Sequence, residues 1–389
     1  MENFINWLES NGVNMKNIKL IEIENKERSV LTNKDLKYGD DFFLIPKKLL
    51  IMSTIVEKSE LGQIILKLFS NSTTLTKNII NITIFILLSM KGYYEETFWK
   101  PYYDILPKNV KHIPIFWTKE LYYLKGSPLL LEIRDRVKST RVEYNKLKNS
   151  EVPIKEYNIT FNEYKKIRSL VSSRNFNLSI EGKQSTTMVP LADMLNHNSN
   201  ADTNWNYNNN LKSYQMTMKN SVKRGNEVSD SYGRKTNDKY FLYYGFLLSD
   251  AKVQLKIKTK SFQGNLNKNI NSIEMENLLN HLRRKHLEQE QKYNYGFVDV
   301  YNEKNVMRDF KRILNKMKRK YPRKLSFYRK NKKTGSLNKK NAYTLVYMEL
   351  SIIEDYLKKI NLILDYLHGK KSKIKDIYVK EYLEKIKII

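Results

Sequence analysis

The sequence predicts an α+β protein with four successive regions in the order β, α, β, α. The first fifty residues and residues 211–260 contain runs in which apolar and polar residues alternate. Residues 53–170, and the chain from 274 onward, carry apolar residues at helical spacing. A period of two is typical of half-buried strands and a period near 3.6 of amphipathic helices. The 389 residues leave room for about two to three domain-sized units.

The first β region follows a short amphipathic helix. In MENFINWLESNG, Phe4, Trp7 and Leu8 share one helical face, and Asn11-Gly12 is a stop signal. This beginning lacks a basic stretch followed by an apolar core, so we expect no signal peptide. The predicted strands are IKLIEI (18–23), the first part of SVLTNKDLKYGDD (29–41), which turns at Gly39, and FFLIP (42–46), which a proline ends.

The first α region contains the most apolar run of the chain, IINITIFILLSM (79–90). It is much shorter than the ~20 residues that span a bilayer, so a buried core helix is expected. WKPYYDILP (99–107) carries two prolines and predicts an irregular connection.

The second half of the chain continues the alternation of strands and helices. LKSYQMTMK (211–219) and KVQLKIKTK (252–260) are predicted strands, and GNLNKNIN (264–271) has the composition of a linker. Long amphipathic helices are expected in MENLLNHLRRKHLEQEQ and LVYMELSIIEDYLKKINLILDYL. Between them, residues 318–341 predict a basic, mobile loop.

The composition is strongly basic and free of cysteine. Lys and Arg number 70 against 41 Asp and Glu, which gives a formal net charge of +29. Such a charge favours acidic partners, namely nucleic acid, an anionic membrane surface or an acidic protein. The basic residues are spread along a chain that is also rich in Asn, Ile and Tyr, as in proteins of AT-biased genomes, so a solvated basic surface is the simpler interpretation. The absence of cysteine excludes disulfides, cysteine zinc sites and a cysteine nucleophile.

Several common catalytic motifs are absent. No glycines have the G-x-G-x-x-G or Walker A spacing, and the sequence has neither an HExxH zinc motif nor a G-x-S-x-G nucleophile elbow. His281 and His286 are five residues apart on one predicted helix, and we expect them to be surface or boundary residues.

The remaining candidate is a dense cluster of small polar, aromatic and turn-forming residues between Met188 and Phe246. It begins MVPLADMLNHN, continues through GNEVSDSYG and ends with YYGF, and SRNF lies just upstream. These segments resemble the SET-domain methyltransferases, in the branch typified by the Rubisco large-subunit methyltransferase and the actin-histidine methyltransferase. Further segments match that branch in family order: LTNKDLKYGDDFFLIPKKLLI, WKPYYDILP and NAYTLVYMELSIIEDYL.

The resemblance covers nearly the whole chain and implies its organisation. A SET-domain β-fold would be split by a helical insertion and followed by an all-α C-terminal substrate-binding domain. We expect residues 1–56 and 171–261 to form the two parts of the SET domain, 57–170 the insertion and 262–389 the C-terminal domain. The resemblance also implies S-adenosylmethionine as methyl donor, a side-chain nitrogen of a protein as acceptor, and no metal. We expect a soluble monomer in the cytoplasm or nucleus, without a membrane partner.

The resemblance assigns a set of cofactor contacts. Asn196 and His197 match the pair that holds the cofactor, partly through backbone groups on the adenine. Arg174 in SRNF matches the arginine that meets the cofactor carboxylate, to which the guanidinium fork is suited. Phe246 in YYGF is either a further cofactor contact or core packing.

Tyr232 is the implied catalytic residue, because its hydroxyl would lie where methyl donor and acceptor nitrogen meet. Phe176 and Tyr244 match aromatic walls of the acceptor channel. Methyl transfer from a sulfonium to an amine is an in-line displacement, so alignment of donor and acceptor carries much of the rate. A lysine amine, with a pKa of ~10.4 in water, must be neutral to attack, and an aromatic channel disfavours its charged form.

The sequence departs from the family pattern at the first cofactor loop. That loop usually contains G-x-G, which lets backbone approach the methionine part of the cofactor. Alignment on LTNKDL places Lys26, Glu27, Arg28 and Ser29 there. We expect backbone groups to serve the cofactor still, with Lys26 and Arg28 at the pocket rim. A weakened site or a non-catalytic SET-domain binding module is the alternative.

The favoured acceptor is a protein lysine. Phe176 is apolar where the actin-histidine branch has a polar amide, and that branch lacks the tyrosine matched by Tyr244. A protein-histidine methyltransferase is the other enzymatic alternative. A third hypothesis is nucleic-acid binding by residues 318–340, in which Tyr321, Phe327 and Tyr328 would stack on bases. A plain basic surface is favoured over it.

Overall fold

The strands and helices follow the predicted order β, α, β, α. The computed structural model describes residues 1–23, 27–94, 98–259, 262–266, 269–286, 300–370 and 374–386. The strands are β1 (Ile18–Ile23), β2 (Glu27–Thr32), β3 (Asp41–Pro46), β4 (Ile51–Met52), β5 (Asn175–Ile180), β6 (Lys183–Met188), β7 (Thr203–Asn208), β8 (Ser213–Met218), β9 (Leu255–Lys258) and β10 (Gln263–Leu266). The helices are α1 (Glu2–Ser10), α2 (Ser53–Val56), α3 (Glu60–Leu68), α4 (Thr74–Met90), α5 (Lys100–Ile105), α6 (Pro128–Lys148), α7 (Phe161–Arg174), α8 (Asn237–Tyr244), α9 (Ile273–His286), α10 (Val300–Lys318), α11 (Leu325–Asn331), α12 (Leu337–Leu367) and α13 (Ile377–Lys385).

The first of two compact units comprises Met1–Val110 and Val137–Arg234. It contains the β1–β2 hairpin and two three-stranded antiparallel sheets, ordered β3-β8-β7 and β4-β6-β5. Ile45 of β3 lies opposite Tyr214 of β8, and both side chains are fully buried. Burial of this face fixes the register, because a shift by one residue would turn these side chains to the other face.

Two helices of this unit confirm the sequence predictions. Phe4 and Leu8 of α1 are fully buried, and the chain leaves that helix through Gly12 at a φ of +96°. Within α4, buried isoleucines occur all around the helix, as expected for a core helix. None of the described helices combines the length and apolar character that a membrane crossing requires.

The prediction of an irregular connection at WKPYYDILP was wrong. Residues Lys100–Ile105 form α5, and Pro101 lies in its first turn. A proline is tolerated there because the first backbone N–H groups of a helix have no partner within the helix. Tyr102 and Tyr103 are buried, which stabilises this short helix through packing.

The second unit comprises Lys111–Arg136 and Lys235–Ile389. Its apolar core is built by α9, α10 and α12, with Leu279, Phe310 and Ile353 fully buried among others. The predicted strand at 252–260 is β9, shorter than expected. The linker predicted at 264–271 was partly wrong, because Leu266 of β10 pairs with Leu255 of β9 and both are fully buried.

The predicted basic loop at 318–341 was partly wrong, since it holds α11 and the start of α12 between short non-helical connections. Tyr321 and Tyr328 anchor the segment in the core, with exposed fractions of 6% and 2%. The ring of Tyr328 meets that of Tyr343 edge-on at 5.3 Å between centroids. These aromatic side chains contribute packing and are not available to stack on a base.

Glu349 of α12 predicts a pH dependence of stability. Its buried carboxyl accepts hydrogen bonds from the hydroxyls of Ser127 at 2.8 Å and Tyr321 at 3.0 Å. Burial raises its pKa to about 8, against the opposing effect of these bonds. An unfolded glutamate has a pKa near ~4.3, so the folded state binds more protons between the two values and the free energy of unfolding falls as pH rises through that window.

We expect Glu349→Gln to remove this dependence, because a neutral amide resembles the protonated carboxyl. Urea unfolding of both proteins from about pH 5.5 to about pH 8.5 should show wild type losing up to ~1.4 kcal/mol per pH unit relative to the variant. Parallel pH profiles would contradict the assignment of a neutral Glu349.

Gly245, in the YYGF motif, predicts a steric effect on stability. It follows α8 at a φ of +79°, and a Cβ there would lie 2.5 Å from the carbonyl oxygen of His112. Gly369 has the same φ of +79°, and a Cβ added there would have no atom within 4 Å. Gly369→Ala should therefore cost only the left-handed backbone penalty, ~1–2 kcal/mol. Gly245→Ala should lower the free energy of unfolding by at least ~1 kcal/mol more, and equal losses in chemical denaturation would contradict the close approach.

Candidate active site

Three chain segments cross at the centre of the first unit. The backbone N–H of Asp230 donates to the carbonyl of Asn196 at 2.9 Å, and that of Asn198 donates back to Asp230 at 3.0 Å. The N–H of Val228 donates to the carbonyl of Val30 in β2 at 2.9 Å. The NHN segment and the segment before SYG are therefore held against each other and against the hairpin.

The side chain of Asn196 strengthens this crossing. Its Nδ2 donates to the carbonyl of Arg28 and to Oε1 of Glu227, each at 2.8 Å. The amide thus joins β2 to the segment that leads to SYG. Asn196 thereby links the backbone of Arg28 and the side chain of Glu227 at the predicted cofactor site.

His197 holds Tyr232. Its Nδ1 accepts the backbone N–H of Tyr232 at 3.0 Å, and the two rings are stacked with centroids 5.1 Å apart. Because Nδ1 is an acceptor, the proton of the neutral imidazole is on Nε2. The predicted pair of Asn196 and His197 therefore fixes the backbone and ring of the predicted catalytic residue.

The hydroxyl of Tyr232 donates to the carbonyl oxygen of Leu195 at 2.8 Å. Burial raises the pKa of Tyr232 to about 12, with Asp193 and Asp230 adding to the effect and Arg174 opposing it. The phenol is therefore protonated near neutral pH. Since its proton is donated to Leu195, its oxygen offers lone pairs to an incoming N–H group.

Arg174, at the end of α7, is paired with Asp193. Its Nη1 donates to the backbone carbonyl of Asp193 and lies 3.4 Å from Oδ2 of the same residue. The hydroxyl of Tyr102 donates to that Oδ2 at 2.8 Å. Burial opposes the charge of Arg174, but Asp193, Tyr232 and Tyr102 outweigh it and raise the pKa of the guanidinium.

One carboxyl oxygen of Asp193 accepts no hydrogen bond from the described residues. Burial raises the pKa of this carboxyl while Arg174 opposes the increase, and its buried Oδ1 has no hydrogen-bond partner among the described residues. A buried acceptor without a donor costs ~1–3 kcal/mol, so the site favours a ligand that carries a hydrogen-bond donor. Leu191, two residues earlier, has a φ of +74° although it is a fully buried leucine. Such local strain is concentrated at functional sites.

Arg28 approaches the same corner from β2. Its Nη1 donates to the carbonyl of Ile105, one turn beyond Tyr102 on α5, and its Nε lies 3.6 Å from Oε1 of Glu22. Burial lowers the pKa of Arg28, and the positive charge of Arg174 contributes to that decrease. Two guanidinium groups thus lie near the buried carboxyl of Asp193.

The positions of Arg28 and Ser29 correct the alignment that placed them in the first cofactor loop. Arg28 and Ser29 belong to β2, opposite Glu22 and Ile21, and do not lie in a loop. Glu27 also belongs to β2, where it pairs with Ile23, and Lys26 lies outside the described residues.

Phe176 lies two residues after Arg174, in β5. Its half-buried ring meets Trp205 and Tyr214 edge-on, with centroids 5.2 and 5.4 Å away. Phe176, which is close in sequence to Arg174, therefore forms an aromatic cluster with Trp205 and Tyr214.

Tyr244 and Phe246 lie in the second unit, around the end of α8. The ring of Phe246 stacks on Tyr240 at 5.5 Å and lies 5.8 Å from that of Tyr244. Their roles in an acceptor channel and a cofactor site stay predictions. In the described part of the chain, no three His, Asp or Glu side chains are grouped to hold a metal ion.

No protein-family model matches the chain. Among curated proteins it is similar to actin-histidine N-methyltransferases, with 24% identity over 255 residues to that of Xenopus tropicalis and 22% over 263 residues to that of Homo sapiens. These alignments cover 63% and 65% of this chain and 42% and 43% of the relatives. Among solved structures it is similar to the SET domain of LSMT bound to lysine and AdoHcy, with a TM-score of 0.76, 19% identity, and coverage of 98% of this chain and 94% of that one. Rubisco LSMT bound to sinefungin and monomethyllysine gives 0.76 and 20%, over 98% of both chains.

The chain has the fold of these SET-domain structures. It spans less than half the length of the curated relatives it matches. The SET fold explains why the sequence motifs converge, since β2, the NHN segment and the segment before SYG cross at one place.

Sequence reasoning missed three groups of the SET site. Asp193 and Tyr102 lie within ADMLNHN and WKPYYDILP but were assigned no role, and the carbonyl of Leu195 has no side-chain signal at all. An acidic residue beside an Asn-His pair was the available signal for Asp193. Its pairing with Tyr102 depends on a contact between residues 91 positions apart.

Proposed function

We propose that this chain is an S-adenosylmethionine-dependent protein-lysine N-methyltransferase. The supporting observation is the arrangement of Arg174, Asp193 and Tyr232, in which charged groups suited to an amino acid adjoin a protonated phenol. The similar solved structures hold AdoHcy or sinefungin together with lysine or methyllysine. The similar curated proteins are named as actin-histidine methyltransferases.

The residues fit the amino-acid end of S-adenosylmethionine. Its carboxylate would pair with the guanidinium of Arg174, with Arg28 as a second cation, and its ammonium would donate to the unpartnered Oδ1 of Asp193. Asn196 and His197 would lie toward the adenine, and Phe246 is a further proposed cofactor contact. When bound, the cofactor supplies an electrophilic methyl group on a sulfonium.

The residues of this chain would align the acceptor rather than take its proton. A phenol with a pKa of about 12 is almost entirely protonated at neutral pH, so Tyr232 is a poor base there. Its oxygen would accept an N–H of the neutral amine and point the nitrogen lone pair at the methyl group. The aromatic surface at Phe176 favours the uncharged amine, and the proton would leave to solvent before the transfer.

Which side chain accepts the methyl group is tested by identifying the methylated amino acid in the product. Full-length protein would be incubated with methyl-labelled S-adenosylmethionine and a cell extract, and the labelled proteins hydrolysed to amino acids. Label in methyllysine supports the proposal, and label in methylhistidine would establish the second candidate, which the named relatives favour. Cofactor binding without any labelled protein would favour the non-catalytic binding module. Action in the cytoplasm or nucleus is part of the same proposal.

Arg28 provides a test of the cofactor geometry. We expect Arg28→Met to weaken binding of S-adenosylhomocysteine by ~10-fold, because a cation near the carboxylate is lost. Binding of 5′-methylthioadenosine, which has no carboxylate, should change little. Calorimetry with both ligands measures the difference, and an equal loss for both would show that Arg28 only supports the fold.

A further inference from the structure

The positive charge of the chain is concentrated in one stretch of the second unit. Between Lys304 and Lys340 there are sixteen Lys and Arg residues and a single acidic residue, Asp309. This stretch therefore holds about half of the net charge of +29. Within this stretch the charge lies on α10, α11, the start of α12 and their connections, while the other Lys and Arg residues are spread along the rest of the chain.

Helix α10 arranges part of this charge as a stripe. A shallow groove of about 500 Å³ is lined by Arg308, Lys311, Arg312, Asn315, Lys316 and Arg319. These positions recur at three- and four-residue spacing, so they share one helical face with at least one cation per turn. The stripe is ~16 Å long at 1.5 Å per residue. We call these six residues the basic stripe.

Most of the stripe charge is not neutralised within the protein. Asp309 is already paired with Lys285 at 2.6 Å, His286 at 3.0 Å and Arg312 at 2.8 Å. Among the described residues, Lys311, Lys316 and Arg319 form no ion pair. Neighbouring like charges on a helix repel each other and destabilise it slightly. An acidic partner would remove that repulsion.

The surroundings of the stripe favour an acidic peptide over nucleic acid. Tyr321 and Tyr328, which follow the stripe, are buried, and the partly buried ring of Phe327 packs against Tyr328 and Tyr343, so stacking on single-stranded bases has no support. One straight row of ~16 Å meets few phosphates of a duplex, whereas duplex binders typically contact ~6–10. An extended peptide places alternate side chains on one side every ~6.6 Å, close to the ~5.4 Å pitch of the cations.

We propose that the basic stripe docks an acidic, extended segment of the protein substrate, with carboxylates at alternate positions. This inference rests on the proposed function, in which the partner is a protein. About five peptide residues would cover the stripe and place three carboxylates against successive turns of α10. The guanidinium forks of Arg308 and Arg319 would bind carboxylates in bidentate fashion.

The test compares two charge-reversal variants of the full-length protein. The stripe variant carries Lys311→Glu, Lys316→Glu and Arg319→Glu. The control carries Lys16→Glu, Lys183→Glu and Lys219→Glu, which change the net charge equally at exposed positions of the first unit. The probes are a fluorescent peptide of alternating Glu and Ser and a DNA duplex of equal charge, titrated by anisotropy at about 0.15 M salt.

The stripe variant should bind the peptide at least ~10-fold more weakly than wild type, and the control within ~2-fold. Equal losses in the two variants would overturn the proposal, since they indicate general attraction to a basic protein. Tighter binding of the duplex than of the peptide, lost in the stripe variant, would overturn it in favour of nucleic acid. If the protein bound no S-adenosylmethionine but the peptide result held, the proposed function would fail while the stripe kept its acidic partner.

Discussion

Replacing Tyr232 by Phe should lower the rate of methyl transfer at least ~100-fold while changing cofactor affinity by less than ~3-fold. The variant keeps the ring that stacks on His197 and loses the hydroxyl that Leu195 orients. Removal of one oriented polar group at a reacting centre typically costs ~10²–10³ in rate. Single-turnover kinetics and a parallel binding titration separate the two effects.

Tyr207 offers a matched control for this substitution. It lies in β7 of the same unit, its side chain is buried, and its hydroxyl has no hydrogen-bond partner among the described residues. Tyr207→Phe should therefore leave transfer unchanged. If Tyr232→Phe turned over as fast as Tyr207→Phe, Tyr232 would not be the positioning hydroxyl of this site.

The second large effect is expected at Arg174. Arg174→Met should weaken S-adenosylmethionine binding by ~10- to 150-fold, because a charge-assisted pair with the cofactor carboxylate contributes ~1.5–3 kcal/mol. It also leaves the buried carboxyl of Asp193 with less compensation, so the free energy of unfolding should fall as well.

Arg168→Met separates the two consequences. Arg168 lies on the same helix, and its Nε pairs with Oε1 of Glu143 at 2.8 Å, with only 14% of its side chain exposed. Its replacement should destabilise the fold by a similar mechanism without weakening cofactor binding. Equal loss of cofactor affinity in both variants would mean that Arg174 acts only through stability.

The order of strands and helices was predictable because it depends on local periodicity, as in α1, α4, β8 and α12. Predictions failed where tertiary packing outweighed local composition. Pro101 lies in a helix because it falls in the first turn, and residues 318–341 include α11 and the start of α12 because Tyr321 and Tyr328 are buried. Gly264 suggested a linker, yet the burial of Leu266 made it part of a strand.

In the candidate site, too, local motifs were predictable from the sequence and long-range contacts were not. Arg174, Asn196, His197 and Tyr232 were found because they lie in short contiguous motifs. The bond from Asn196 to Arg28 joins residues 168 positions apart, and no local pattern reports it. The approach of Arg28 to Arg174 and Asp193 likewise arises only when β2 pairs with β1. The segment that lacks the family's glycine motif therefore contributes the charged side chain of Arg28 to the proposed cofactor site.

The central claim is that the groups around Asp193 form a site for S-adenosylmethionine despite the missing glycines. Calorimetric titration of the full-length protein with S-adenosylmethionine tests it most directly. We predict one site with a dissociation constant below ~100 µM, within the usual range for enzyme substrates, and loss of that binding in Arg174→Met. No binding to the folded wild-type protein at ligand concentrations of ~1 mM would contradict the claim.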